Sequence, residues 1–203
     1  MDELIDRARA LATAGTRKIL GIAGAPGAGK TTLAALVTAQ LGGRAVQVPM
    51  DGLHRADVEL TRLGRRDRQG APDTFDGFGY LALLRRLRSP APGEIVYAPA
   101  FERTIEQPIA GSIPVDPAVP LIVTEGNYLL LDDPPWQQVR ALLDETWFVE
   151  IDEEVRVGRL IRRHIEFGKT PEQAAEWVGR LDEQNARLIA ATRDRADLIV
   201  RGG

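Results

Sequence analysis

Residues 24–31, GAPGAGKT, constrain this chain more than any other stretch. They match the pattern G-x-x-x-x-G-K-[ST] at every specified position and lie between an apolar run, KILGIAG, and a helix-forming run, TLAALVTAQL. A buried strand must lead into the loop, and a helix must lead out. Three glycines and a proline let the backbone curl with its N–H groups turned inward around an anion, and the helix that follows aims its positive end at the same point. Gly24, Ala25, Pro26, Gly27, Ala28, Gly29, Lys30, Thr31 and Thr32 therefore form the expected phosphate cradle. Lys30 is placed to reach the outer phosphates, and the Thr31 hydroxyl to hold a magnesium ion bridging them. An ordinary Gly-rich turn requires neither the Lys-Thr pair nor so many glycines.

The remaining composition narrows the class. At 203 residues, 44% hydrophobic and 27% charged, with a formal net charge of −3, the chain has enough apolar material for one folded domain. That charge argues against a broad nucleic-acid surface. No cysteine is present, which excludes disulfides, thiolate metal sites and Cys nucleophiles. The first residues, MDELIDRARALATAG, are acidic and amphipathic, and no apolar run approaches bilayer length. A cytoplasmic protein with neither a signal nor a membrane span is expected.

Hydrophobic periodicity predicts a helix over residues 2–14 on the outside of a sheet, a strand at 18–23, the loop helix at 30–41 and a second strand at 45–48. Residues 56–70 read as charged loop. A helix starts at Asp76-Gly77 with Phe78, Leu81, Leu84 and Leu87 as its apolar stripe. Residues 89–120 alternate short apolar runs with prolines, which predicts small strands and turns decorating the sheet. Further strands are expected at 120–124, 146–151 and 196–200, an Arg-rich helix at 153–168 and a long helix from 171 to 191. Strands alternate with helices throughout, so the fold class is a single three-layer α/β domain, residues 1–203, on a mainly parallel five-stranded sheet, with an insertion at 89–118.

Chemistry must choose among the uses of a phosphate loop. No N-K-x-D segment for reading guanine is present. Asp51 falls just beyond the second strand, expected to neighbour the loop strand, where ligands bind in open parallel sheets, and a carboxylate there could take the proton of an acceptor hydroxyl. Taken alone, Asp51-Gly52 reads more often as a turn; joined to the phosphate loop, the reading as a base prevails. Glu125 ends an apolar strand and is compatible with a second carboxylate near magnesium, or with a simple cap. Arg159 and Arg163 share one helix face, with Arg162 about 100° away, so at least one of the three is placed to neutralise phosphoryl charge unless the whole face is solvated. Arg62, Arg65, Arg66 and Arg68 form either a solvated face or a surface near an anionic substrate. His54, three residues past Asp51, is placed to touch a substrate, whereas His164 reads as structural or surface. Neither histidine has metal-ligand spacing. A nucleotide-binding regulator that transfers nothing is the alternative reading.

In order, GAPGAGKT, PMDGLH, GAPDTFDGFGYLALLRRL, YAPAFERTIEQP, LIVTEGNYLLL, RLIRRHIEFGKT and TRDRADLIV resemble the segments of the P-loop kinases related to phosphoribulokinase, uridine kinase and bacterial pantothenate kinase. The resemblance implies the P-loop NTPase fold, Mg²⁺ and ATP, and a small molecule bearing a hydroxyl. It makes Asp51 the base, Lys30 and Arg163 the stabilisers of the transferring group, Arg159 an assistant from an arginine lid over 156–170, and Thr31 with Glu125 the metal site. It places His54, Phe101, Arg103, Asn127 and Tyr128 near the acceptor, and it implies a homodimer. His164 stands where many uridine kinases have Asp, and DGLH lacks their tyrosine. The chain looks most like short bacterial nucleoside, nucleotide or sugar kinase-like proteins.

Overall fold

A computed structural model describes residues 1–202. Seven strands and eight α-helices follow in chain order: α1 (Asp2–Ala12), β1 (Lys18–Gly24), α2 (Lys30–Leu41), β2 (Ala45–Pro49), α3 (Asp57–Arg62), α4 (Gly77–Arg88), β3 (Val96–Glu102), β4 (Gln107–Val115), β5 (Leu121–Glu125), α5 (Trp136–Arg140), β6 (Glu145–Glu150), α6 (Glu153–Glu166), α7 (Pro171–Trp177), α8 (Glu183–Ala190) and β7 (Leu198–Arg201). Five strands form one parallel sheet in the order β2-β5-β1-β6-β7, and β3 and β4 form a separate antiparallel hairpin.

Alternation along each central strand splits the core into two. Leu20 and Ile22 of β1, Leu121 and Val123 of β5, and Trp147 and Val149 of β6 face α1 and α2. Ile19, Ala23, Ile122 and Phe148 face α4, α8 and the hairpin on the other side. Strands buried on both faces read as unbroken apolar runs, which is why KILGIAG and LIVTE are recognisable as strands. The three layers agree with expectation.

Four expectations are corrected. Asp51's strand is not the neighbour of the loop strand, because β5, which carries Glu125, lies between β2 and β1. Residues 56–70 are not all loop, since Asp57–Arg62 forms a helix with Leu60 buried beneath it. Phe78 is 63% exposed, and the buried stripe of α4 is Tyr80, Leu81, Leu84 and Leu87. At 3.6 residues per turn Phe78 points about 120° away from Leu84, while Tyr80 can be buried because its hydroxyl meets that of Thr124. The helix expected over 171–191 is interrupted by a π-helical turn, Val178–Asp182.

Candidate active site

The phosphate loop starts where β1 ends. Gly27 has φ 81°, and a Cβ there would fall 2.8 Å from Leu160 Cγ and 3.0 Å from the Arg156 carbonyl, so α6 is seated directly on the loop. The following helix opens at Gly29 without a side-chain cap, which leaves its first N–H groups for a ligand. Lys30 is buried and its Nζ donates to the Ala25 carbonyl at 3.0 Å. Burial lowers its pKa to about 8 against the pull of Glu125 and Asp51.

Thr31 Oγ1 donates to Glu125 Oε1 at 3.0 Å, joining the first turn of α2 to the end of β5. Glu125 is 3% exposed, and burial, with Asp51 adding in the same sense, raises its carboxyl to about 7 despite Lys30 and Thr31. A hydroxyl and a carboxylate side by side, with a second carboxylate nearby, suit a small hard cation that keeps waters and takes its remaining ligands from phosphates. Among the described residues no cluster of three His, Cys, Asp or Glu side chains could hold a metal unaided. The loop, Lys30, Thr31 and Glu125 therefore match the needs of Mg²⁺ and ATP.

Asp51 sits in the 3₁₀ turn Met50–Leu53 that follows β2. Its carbonyl accepts from His54 Nδ1 at 2.7 Å, which leaves Nε2 as an acceptor on the neutral ring. The His54 ring lies between Phe75 and Phe101, with centroids at 4.0 and 4.7 Å. Gly52 is required by packing: a Cβ there would fall 2.3 Å from the Pro99 carbonyl of β3. The same contact brings the end of the hairpin over Asp51, and Arg103 Nη2 stands 3.7 Å from Asp51 Oδ2.

The helix α6 closes the other side. Arg159 and Arg163 line the cavity, whereas Arg162 is exposed and does not. Burial pushes the Arg163 guanidinium down, Arg103 adds to this, and Asp182, Asp51 and Glu106 oppose it. His164 contacts Asp182 Oδ2 at 3.0 Å, and its ring lies 6.2 Å from that of Trp177. Deeper in, Arg156 pairs with Glu183.

One cavity of about 1310 Å³ joins these parts, from the phosphate loop and the end of β7 to Asp51 and the hairpin. It takes in Pro26 to Thr32, Asp51, His54, Phe101, Arg103, Glu125, Asn127, Arg159 and Arg163. Gly24 and Ala25 are not among the residues that line it. Tyr128 does not reach it: the side chain is fully buried, donates its hydroxyl to the Gly70 carbonyl and packs on Phe75 and Trp136, so it supports the wall rather than forming it. Sequence reasoning missed Phe75, Glu106, Trp177, Asp182 and Asn185, all of which line the cavity. Phe75 stood in the quoted segment GAPDTFDG, whereas Asp182 and Asn185 depend on the π-turn, which no local pattern announces.

The comparisons agree with this geometry. The profile of the phosphoribulokinase / uridine kinase family matches residues 19–203. A Schizosaccharomyces pombe protein named as a candidate uridine kinase, C227.14, is 33% identical over 98% of this chain and 89% of its own length. YggC of Escherichia coli K12, an uncharacterised protein, is 32% identical over 91% of this chain and 77% of its own. The crystal structure of a candidate fructose transport system kinase from Silicibacter sp. TM1040 superposes with a TM-score of 0.87 at 34% identity, covering 97% of this chain and 98% of that one. A strand-to-helix phosphate loop, a carboxylate beyond β2 and arginines on α6, together with these matches, place the chain in the phosphoribulokinase / uridine kinase family of ATP-dependent small-molecule kinases.

Proposed function

We propose that this protein transfers the γ-phosphoryl group of Mg·ATP to a hydroxyl of a small molecule, with Asp51 as the base. The observation that carries this reading is the single cavity that holds Asp51 opposite the phosphate loop, between Glu125 and Arg163. Nucleoside, pantothenate-like and sugar-like acceptors all meet its general demands; the names of the relatives speak for a nucleoside or a sugar.

When bound, Mg·ATP supplies the transferable phosphoryl group and an ion that neutralises charge on its oxygens. The residues of the chain do the rest. The loop N–H groups and Lys30 hold the phosphates, and Thr31 with Glu125 holds the ion. Asp51 orients the acceptor hydroxyl and takes its proton as the oxygen attacks, while Arg163 and Arg159 balance charge on the equatorial oxygens and help exclude water. His54 and Phe101 shape the acceptor end, and Asn127 offers it an amide.

Asp51→Asn keeps size and hydrogen bonding but removes the base. Phosphoryl transfer, followed as ADP release with acceptor present, should fall by roughly 10²–10⁴-fold while Mg·ATP binding holds. Unchanged turnover would remove Asp51 from the role of base. ADP release that no acceptor stimulates, across nucleosides, pantothenate, sugars and sugar acids, would favour a nucleotide-binding regulator instead.

A further inference from the structure

We infer that the acceptor is a small hydroxy compound carrying an anionic group, carboxylate or phosphate, close to the reacting hydroxyl, and that Arg103 is the residue that binds that group. The inference rests on the kinase reading above.

Two other basic side chains that line the cavity are engaged. Arg66 grips Asp57 through two donors at 3.1 and 2.7 Å, and His164 is held by Asp182 at 3.0 Å. Arg103 differs from these. It comes no nearer to an acid than 3.7 Å from Asp51, beyond hydrogen-bond reach, and among the described residues its guanidinium donates no hydrogen bond. A planar fork of five N–H donors at the wall of a cavity is suited to a carboxylate or phosphate.

The chemistry strengthens the geometry. Arg103 stands close enough to Lys30 and Arg163 to disfavour charge on both, so the site gathers three cations around Asp51 and Glu125. Lys30 and Arg163 face the donor phosphates. As Asp51 takes the hydroxyl proton it becomes neutral, and Arg103 then loses the nearest acid it faces, with only the more distant pull of Glu125 remaining. A negative group on the acceptor restores that balance at the moment of transfer. A hydroxyl hydrogen-bonded to Asp51 would lie only a few bonds from an oxyanion on Arg103, given contacts of about 3 Å at each end. With Nδ1 bonded to the Asp51 carbonyl, His54 has its Nε2 left to meet a further hydroxyl between them. Position is secured by the Pro99–Gly52 contact, which fixes the strand that Arg103 follows.

The test compares the wild-type protein with Arg103→Met, which keeps the stem, and Arg103→Lys, which keeps the charge but loses the fork. Thermal unfolding is measured with Mg·ADP and millimolar small hydroxy carboxylates, sugar phosphates, and the neutral amides, parent sugars and nucleosides. Stabilisation by Mg·ADP itself reports a folded nucleotide site in each variant. The expected result is added stabilisation of the wild type by an anionic compound and not by its neutral counterpart. Its binding should weaken on the order of 10- to 100-fold in Arg103→Met and less in Arg103→Lys. Which arm responds, carboxylate or phosphate, identifies the anion. A neutral compound that stabilises wild type and Arg103→Met alike and is phosphorylated by both overturns the inference and leaves the kinase reading standing. No response to any anionic compound also overturns it. An anion that binds through Arg103 but is never phosphorylated keeps the role of Arg103 and removes the kinase reading.

Discussion

Glu125 shows how one side chain carries the requirements of a whole site. Buried beneath the loop, with Asp51 adding negative charge, its carboxyl is raised from 4.5 to about 7, which fits a group that awaits a cation. The sign of the consequence follows from linkage. Between about 4.5 and 7 the folded state of the metal-free protein holds a proton that the unfolded chain has released, so its stability falls as pH rises through that window. Lys30, lowered from 10.5 to about 8, stays largely protonated in both states across that window and adds little slope there. Glu125→Gln should therefore flatten the pH dependence of unfolding between 5 and 7, by an amount on the order of 2 kcal/mol across the window. Urea unfolding at several pH values without magnesium checks it, and an identical slope in wild type and variant would count against a raised carboxyl. Mg·ADP affinity of the wild type should rise over the same window, because the ion takes the carboxylate and not the acid. Nothing in LIVTEGN reveals this shift, which comes from burial in the folded chain and from Asp51, a residue distant in sequence.

At the scale of elements, what could be read from the sequence was what is local in it. The loop between β1 and α2 was legible because its strand, glycines, lysine and helix are consecutive. The order of strands was not, because it is decided by which apolar ribbons pair across the sheet, and β5 inserts between β1 and β2 after more than seventy residues of intervening chain. The helix stripe of α4 was half legible. Leu81, Leu84 and Leu87 follow from periodicity, but the exchange of Phe78 for Tyr80 depends on a hydroxyl partner in β5. The hairpin was legible as strands and turns, and the resemblance put its Phe101 and Arg103 near the acceptor; what was not legible is the contact that seats it there, Gly52 beneath Pro99. Gly52→Ala tests the contact. The added methyl meets a backbone carbonyl at 2.3 Å, which cannot rotate away, so β3 must shift at a cost of about 1–3 kcal/mol. Phe101 and Arg103 would move off Asp51, and the acceptor KM should rise at least about tenfold while Mg·ADP binding is retained. An unchanged KM would show that the hairpin does not position the acceptor.

At the scale of the molecule, the cavity exists because α6 is held down on the loop at one point and on the end of the π-turn and the start of α8 at another. The first is Leu160 against Gly27; the second is Arg156 with Glu183 and His164 with Asp182. Arg156 is the expensive member. Its side chain is 7% exposed and its Nη1 has no hydrogen-bond partner among the described residues, so its charge is balanced chiefly by Glu183. Removing one partner of a buried pair leaves the other charge without compensation, at about 3–5 kcal/mol, whereas replacing both with apolar groups of similar volume is often close to neutral. Glu183→Gln should accordingly lower stability strongly, and Arg156→Met with Glu183→Met should recover most of the loss. Denaturant unfolding of the singles and the double reads the coupling directly. A double variant no more stable than Glu183→Gln would show that this pair does not hold the helix. If the double is restored in stability but turns over slowly, the ion pair sets the register of Arg159 and Arg163 over the loop, because apolar replacements fill the space without fixing the helix at one angle.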